Sequence, residues 1–255
     1  MIVGLVSTWR DGRLAEDAVR SLLTCCQSVY VLDGSIGEPG EAFLHSETNW
    51  KDLSKTARVF HHTGAWQSDA EKRTQLLLRT RRLAVPVWGV VLDSDELLVS
   101  GEQIPALIQW HEQNAAHAEQ EPFRIPLRLM DGDGTASVMT GRILRLDLVE
   151  RYLISSYHLK LTNGAEVSLA NGVLVPAGEP DKTTLDVTTG LQMRRPLQGE
   201  PHILHRAFLR PPQRTAERQS VAEGSAFDAL VREAGLGEAH GERAQDDRSA
   251  IWLPT

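Results

Sequence analysis

Four consecutive polar residues, Asp93-Ser94-Asp95-Glu96, follow directly after the apolar run 87–92. Such a run is typical of a buried strand, and in an open α/β sheet ligands bind beyond the carboxyl ends of the strands. Carboxylate oxygens suit a hard divalent cation, which can bridge the two phosphates of a nucleotide diphosphate. An Asp-x-Asp triplet also occurs in ordinary turns and helix caps, so its place after a strand is what favours a metal site.

A second acidic residue, Asp33, ends another apolar and β-branched run over 28–32 and is followed by Gly34 and Ser35. A carboxylate in that place can accept hydrogen bonds from the N–H of a nucleobase or from a ribose hydroxyl. The alternative is a plain strand-to-loop turn, because Asp and Gly both favour turns.

Two basic residues, Lys72 and Arg73, stand in the first turn of a predicted helix. Ser68 and Glu71 have the spacing of a capping box, and an Ala- and Leu-rich segment follows as far as Ala84. Since cations oppose the helix dipole at this end, a nearby phosphate would compensate for them. A solvated helix face balanced by acidic neighbours is the alternative.

The elements that must position these residues alternate between strand and helix over the first hundred residues. Predicted strands cover 2–7, 28–32, 58–61 and 87–92, and predicted helices cover 14–25, 38–47, 68–84 and 103–117. Further strands or hairpin arms are predicted over 123–130, 137–146, 153–161 and 172–176, with turns at 131–134 and 163–164. We therefore expect an α/β fold with a mixed, mainly parallel sheet flanked by helices and a more β-rich C-terminal half.

The composition is that of an ordinary globular protein of 255 residues, with 41% apolar residues, 24% charged residues and a net charge of -7. The acidic balance argues against a general nucleic-acid binder. The two cysteines, Cys25 and Cys26, are adjacent, so they predict neither a disulfide framework nor a zinc site. We find no signal-like segment and no run long enough for a membrane span, and we expect a cytoplasmic protein.

Three segments in order carry a specific resemblance: VLDGS (31–35), W-x-x-x-A-x-K-R (66–73) and VVLDSDELL (90–98). This order resembles the family 2 glycosyltransferases of the GT-A fold, of bacterial or phage type, over residues 1–100. The resemblance implies that Asp33 contacts the nucleobase, which suits uracil. It also implies that the Asp-x-Asp motif binds ribose and metal, with the basic helix between these two sites.

The resemblance implies a metal-dependent transfer of a sugar from a nucleotide diphosphate donor, most simply UDP-linked, assisted by Mn²⁺ or Mg²⁺. The residues expected to bind the donor are Thr8, Asp33, Ser35, Lys72, Arg73, Asp93, Ser94, Arg206 and Arg210. Asp95 and His205 are the expected metal ligands, because the stretch 201–206 resembles the late histidine that GT-A enzymes add to the metal site. His202 is the second choice, and a solvated basic strip is the alternative for the late arginines.

The catalytic base is the least defined part of the site. An inverting transfer needs a carboxylate or imidazole to deprotonate the acceptor hydroxyl. The candidates are Asp131 and Asp133 in a glycine-rich turn, His158 in a stretch that resembles the family's acceptor side, and Asp181. A retaining transfer would need no such base.

The resemblance implies a GT-A domain over 1–213, with a donor half (1–100) and an acceptor half (101–213). A C-terminal helix and a mobile tail are predicted over 214–255. Two other functions stay open: a nucleotidyltransferase on a similar sheet, and a non-catalytic module that binds nucleotide sugars. The acceptor is not defined and could be a glycan, a protein, a small molecule or a nucleic acid, with modified DNA as one form of the last.

Overall fold

The apolar runs of the chain form the centre of an eight-stranded sheet in the computed structural model. The structure describes residues 1–9, 11–34, 58–80, 87–114, 122–131, 137–153, 158–169, 175–176 and 198–206. All of these belong to a unit formed by Met1–Leu209, whereas a second unit, Arg210–Thr255, lies outside the described residues. The domain boundary at residue 213 therefore stays a prediction.

Twelve strands and three α-helices are described. The strands are β1 (Ile2–Thr8), β2 (Ser28–Asp33), β3 (Val59–Thr63), β4 (Trp88–Asp93), β5 (Glu96–Val99), β6 (Arg124–Asp131), β7 (Ser137–Arg145), β8 (Val149–Tyr152), β9 (His158–Leu161), β10 (Glu166–Ser168), β11 (Val175–Pro176) and β12 (His202–His205). The helices are α1 (Gly12–Leu22), α2 (Asp69–Thr80) and α3 (Ile104–Gln113), the last preceded by a 3₁₀ turn at Gly101–Gln103.

The large sheet has the strand order β3-β2-β1-β4-β7-β6-β12-β5. Strands β7 and β5 run antiparallel to the other six, so the sheet is mixed and mainly parallel. Strand β1 pairs with β2 on one side and with β4 on the other, both in parallel. This confirms the expected α/β class.

The helices cover both faces of this sheet. Alternating residues of β1 and β4 enter two separate apolar cores, as the strand period of two requires. Helices α1 and α3 pack into the core that contains Val6 and Val90, and α2 packs into the core that contains Leu5 and Val91. The capping box predicted for α2 forms in part, because the Glu71 N–H donates to Ser68 Oγ (3.1 Å).

A second sheet of four strands, in the order β11-β10-β9-β8, supplies the expected β-rich half. The strand or hairpin arm predicted over 153–161 is confirmed in part, as β9 over His158–Leu161. Strand β8 ends at Tyr152, and the Leu153 N–H donates to the His158 carbonyl (2.9 Å) where β9 begins. Residues 154–157 of the predicted stretch lie outside the described residues. The turn predicted at 163–164 is confirmed, with Gly164 at a φ of 88°.

The predicted bounds of the helices can be compared with the structure where the residues are described. Helix α1 ends at Leu22, earlier than the predicted Cys25. The helix predicted over 38–47 lies outside the described residues, as do the predicted ends of the helices beyond residues 80 and 114. None of the helices that the structure describes is long and apolar enough to cross a membrane.

Candidate functional site

The carboxyl ends of β1, β2 and β4 meet where the strand order reverses. Thr8 at the end of β1 is the register partner of Asp33 at the end of β2. On the other side of β1, Ser7 is the partner of Asp93 at the end of β4. Ligands of open α/β sheets bind in the crevice at such a point. The structure therefore brings three predicted site residues, Thr8, Asp33 and Asp93, to one edge.

The segment Asp93–Glu96 connects β4 to β5, and we call it the acidic turn. Each of its four side chains is held by a different element of the fold. The pairs are Asp93 with Arg73 of α2, Ser94 with Asp11 before α1, Asp95 with His205 of β12, and Glu96 with Arg142 of β7. The turn is thus fixed from four directions.

Asp93 lies between two guanidinium groups. Arg73 Nη2 donates to Asp93 Oδ1, and Arg142 Nη2 lies 3.9 Å from Asp93 Oδ2. Arg73 also donates from Nε to Asp69 Oδ2 (2.6 Å). Burial lowers the pKa of Arg73, but Asp69 and Asp93 outweigh it and raise this pKa well above its ordinary value. Arg73 therefore stays charged against Asp93.

Glu96 is a buried carboxyl group, with 1% of the residue exposed. It accepts hydrogen bonds from Arg142 Nη2 (2.5 Å) and from the Asp93 N–H (2.8 Å). Burial raises the pKa of Glu96 to about 7, with Asp93 and Asp95 acting in the same direction and Arg142 against it. The group therefore changes its protonation near neutral pH.

His205 Nε2 lies 3.1 Å from Asp95 Oδ2, so the two predicted metal ligands touch each other. Burial lowers the pKa of His205, but the Asp95, Glu96 and Asp93 carboxylates outweigh burial and raise it above its ordinary value. The main-chain N–H of Arg206 donates to the Asp95 carbonyl (2.8 Å), which fixes the backbone of the turn beside β12.

The side chains of Asp95 and His205 can be compared with the number and kind of ligands that a metal ion requires. Within the described part of the chain, no group of three or more His, Cys, Asp or Glu side chains is arranged to hold a metal ion. Mg²⁺ in phosphate-transfer sites takes one or two carboxylates and completes its shell with substrate phosphates and water. Asp95 and His205 offer one carboxylate and one imidazole at this place, so a bound ion would need its remaining ligands from elsewhere.

Thr8, Asp33 and Gly34 form the other part of the site, which we call the nucleoside edge after the ligand proposed for it below. Thr8 and Asp33 are each 1% exposed. His61 Nε2 of β3 lies 3.3 Å from Asp33 Oδ2. The Lys72 ammonium donates to the carbonyls of Thr8 (2.6 Å) and Gly34 (2.9 Å). Unlike the acidic turn, this edge is fixed mainly through its backbone.

The remaining predicted site residues are more scattered. The Arg206 guanidinium lies against α1, where it donates to Asp17 Oδ2 (2.9 Å) and to the Leu14 carbonyl (3.3 Å). The backbone of Asp131 ends β6 as the register partner of His205. Three predicted residues, Ser35, Asp133 and Arg210, lie outside the described residues, as does Asp181.

His158 lies in the four-stranded sheet, as the register partner of Ser168. It is half-buried, and burial lowers its pKa. This second sheet reaches α2 through Tyr152, whose N–H donates to Thr74 Oγ1 (3.0 Å). Burial raises the pKa of the Tyr152 phenol to about 12, against the effect of Arg73 and Arg142.

Four residues of the site were not predicted as site residues: Asp11, His61, Glu96 and Arg142. Glu96 was visible as the last member of the acidic run, and Arg142 as a basic residue in a strand. Asp11 and His61 carry no local signal, because their partners Ser94 and Asp33 are distant in sequence.

Comparisons with known proteins give remote likenesses. No family model matches the chain, and no curated protein matches it. A crystal structure of Staphylococcus aureus TarS is 11% identical with a TM-score of 0.31, over 51% of this chain and 21% of that chain. The TarS 1-349 fragment in complex with UDP-GlcNAc is 12% identical with a TM-score of 0.30, over 51% and 33%.

A crystal structure of 4-diphosphocytidyl-2C-methyl-D-erythritol synthase is 15% identical with a TM-score of 0.35, over 58% of this chain and 76% of that chain. The matched part of the TarS structures is about a fifth to a third of their length. All three likenesses are distant, so the function is argued from the site itself.

Proposed function

We propose that the chain is a metal-dependent glycosyltransferase of the GT-A kind that uses a UDP-linked sugar. One observation carries the proposal: Thr8, Asp33 and Asp93 end three adjacent parallel strands at the switch point, next to the acidic turn. Carboxylates at such an edge suit the hydroxyl and N–H groups of a nucleoside and the cation that accompanies a diphosphate.

In this proposal the nucleoside edge binds the base and ribose. The Asp33 carboxylate accepts from the N–H of uracil, and His61 at 3.3 Å orients that carboxylate. The Thr8 hydroxyl oxygen is buried and has no hydrogen-bond partner among the described residues. A ligand hydroxyl or carbonyl beside it would satisfy this group.

The acidic turn then receives the diphosphate end of the donor. Asp95 and His205 would hold a divalent cation, which when bound neutralises charge on the leaving nucleotide diphosphate. Arg73 keeps Asp93 oriented and charged through its ion pair. A metal ligand must be a neutral imidazole, so the proton that the Asp95 carboxylate favours on His205 would compete with the cation.

For an inverting transfer we assign the base to Asp131. Its backbone ends β6 beside His205, at the same edge as the acidic turn. His158, which belongs to the second sheet, is the weaker assignment. A base at this position would take the proton of the acceptor hydroxyl as the sugar leaves the diphosphate.

Donor hydrolysis without an acceptor tests the proposal. The protein is incubated with a panel of nucleotide sugars in MnCl₂, MgCl₂ or EDTA, and the released nucleotide diphosphate is measured. We expect slow, metal-dependent release of UDP from one UDP-sugar. Binding of every donor is read in the same samples by thermal shift.

Two further measurements distinguish the proposed function from the other two candidate functions. Release of pyrophosphate from a nucleoside triphosphate and a sugar phosphate would identify a nucleotidyltransferase instead. Donor binding with no turnover, with or without candidate acceptors, would indicate a binding module. Neither binding nor turnover with any donor would overturn the proposal.

A further inference from the structure

Lys72 is the most deeply buried lysine that the structure describes. It lies in the first turns of α2 and is 1% exposed. Its spacing from the buried Leu76 is one helical turn, so both side chains point from α2 to the sheet. An ammonium ion in such a place needs hydrogen-bond acceptors, because a buried charge without partners is strongly destabilising.

Two main-chain carbonyls accept hydrogen bonds from Lys72. Nζ donates to the Thr8 carbonyl at 2.6 Å and to the Gly34 carbonyl at 2.9 Å. The ring of Trp66 adds a cation–π contact, with Nζ 5.0 Å from its centroid. Lys72 thus joins the last residue of β1 to the residue that follows β2.

The same short stretch of backbone is tied at two further points. The Gly34 N–H donates to the Thr8 carbonyl (3.1 Å), and the Gly64 N–H donates to the Asp33 carbonyl (3.1 Å). A Cβ on Gly34 would lie 1.7 Å from the Gly64 carbonyl oxygen, so the segments after β2 and β3 approach closely here. These contacts fix the backbone that carries the Thr8 and Asp33 side chains.

We infer that Lys72 is a positioning residue of the nucleoside edge and acts by holding the Thr8 and Gly34 carbonyls. This differs from the direct phosphate contact predicted from the sequence. The inference rests on the proposed function, since it assumes that this edge binds the nucleoside. Under this inference Lys72 supports the binding of the base and ribose. Its effect on affinity is therefore the same for ligands with different numbers of phosphates.

A comparison of uridine with UDP distinguishes the two roles of Lys72. Dissociation constants of both ligands are measured by calorimetry, in MnCl₂, for the wild type and for Lys72→Met. A positioning role predicts that both ligands bind more weakly by the same factor, about 10- to 100-fold. A phosphate contact predicts a loss for UDP and no loss for uridine, and this result would overturn the inference.

Arg58 offers a matched control. Its guanidinium also donates to main-chain carbonyls, those of Leu23 (3.3 Å), Cys26 and Gln27 (3.1 Å), but beyond the amino ends of β2 and β3. Arg58→Met should leave the affinity for both ligands unchanged. An equal loss in Arg58→Met and Lys72→Met would reflect general destabilisation and would also overturn the inference.

Two outcomes keep the inference and the proposed function apart. If the wild type binds UDP and the Lys72→Met factors differ between ligands, only the inference fails. If the wild type binds neither ligand, the proposed function fails and the inference with it.

Should Lys72→Met not fold, Lys72→Gln is measured in the same way, because its amide keeps two N–H donors near the carbonyls. Equal, smaller losses for both ligands are then expected, and a loss confined to UDP again contradicts the inference.

Discussion

The acidic turn and the nucleoside edge lie at neighbouring strand ends but are stabilised differently. The acidic turn is held by ion pairs and hydrogen bonds between side chains of distant elements, such as Glu96 with Arg142 and Asp95 with His205. The nucleoside edge is held mainly by backbone hydrogen bonds and by one buried ammonium, with a single side-chain contact between His61 and Asp33. Because ion pairs depend on protonation and backbone geometry does not, the two parts should respond differently to pH and to charge-removing substitutions.

The largest effect is expected for Asp95→Ala. Loss of a ligand that can hold the cation should lower metal-dependent donor hydrolysis by about 1,000-fold or more, which corresponds to about 4 kcal/mol. UDP release at saturating MnCl₂ measures it. Asp147→Ala, at an exposed acid that pairs with Arg145, is the control and should keep full activity. Equal activity of the two variants would remove Asp95 from the site.

The next effect concerns the stability of the acidic turn. Arg142→Met leaves the buried Glu96 carboxylate and the partly buried Asp93 carboxylate without this partner, and should cost about 4 kcal/mol of unfolding free energy at pH 8. Urea denaturation measures the loss. Arg151→Met removes a solvent-exposed partner of Glu150 and should change stability by less than about 1 kcal/mol. Similar losses for the two variants would show that the turn does not depend on its ion pairs.

A pH series on Glu96→Gln tests the protonation of the turn. The pKa of Glu96 is raised from 4.5 to about 7, so the folded state binds this proton more tightly than the unfolded state. Its contribution to stability is therefore present below pH 4.5 and is lost as the pH rises through about 7. The unfolding free energy of the variant minus that of the wild type should rise by about 3 kcal/mol from pH 4.5 to 7.5. A flat difference would contradict the assigned pKa.

The smallest effect is expected at the nucleoside edge. Gly34 has a φ of 150° and no room for a Cβ, whereas Gly164 has a φ of 88° and nothing within 4 Å of a Cβ. Gly34→Ala should therefore cost about 2 kcal/mol more than Gly164→Ala. Urea denaturation should give the same difference at pH 5.5 and at pH 8. A difference that changes with pH would mean that this edge, too, depends on groups that change their charge between pH 5.5 and pH 8.

Much of the large sheet could be predicted from local sequence. The runs that form β1, β2 and β4 are apolar and β-branched, and burial on both faces suppresses alternation in β1 and β4, as expected of parallel strands. Strand β12 was not predicted, because a four-residue segment with a histidine at each end has no clear period. Its pairing with β5 and β6 comes from tertiary contacts alone.

The site could be predicted where an acidic residue directly follows an apolar run that forms a strand. Asp33 and Asp93 follow apolar runs, so their shared edge could be expected from the sheet. The partners of the acidic turn could not be predicted, since Asp11 meets Ser94 across 83 positions of sequence and Arg142 meets Glu96 across 46. The buried contacts of Lys72 could not be predicted either, because a charged residue in the first turn of a helix is usually solvated.

The most direct test of the account is calorimetric titration of UDP into the wild type, Asp33→Ala and Asp95→Ala, each in MnCl₂ and in EDTA. The account predicts that the wild type binds UDP more tightly with Mn²⁺. It predicts that Asp33→Ala weakens binding in both buffers, and that Asp95→Ala loses only the gain due to Mn²⁺. No UDP binding by the wild type, or binding that neither substitution alters, would contradict a nucleotide site at the carboxyl ends of β1, β2 and β4.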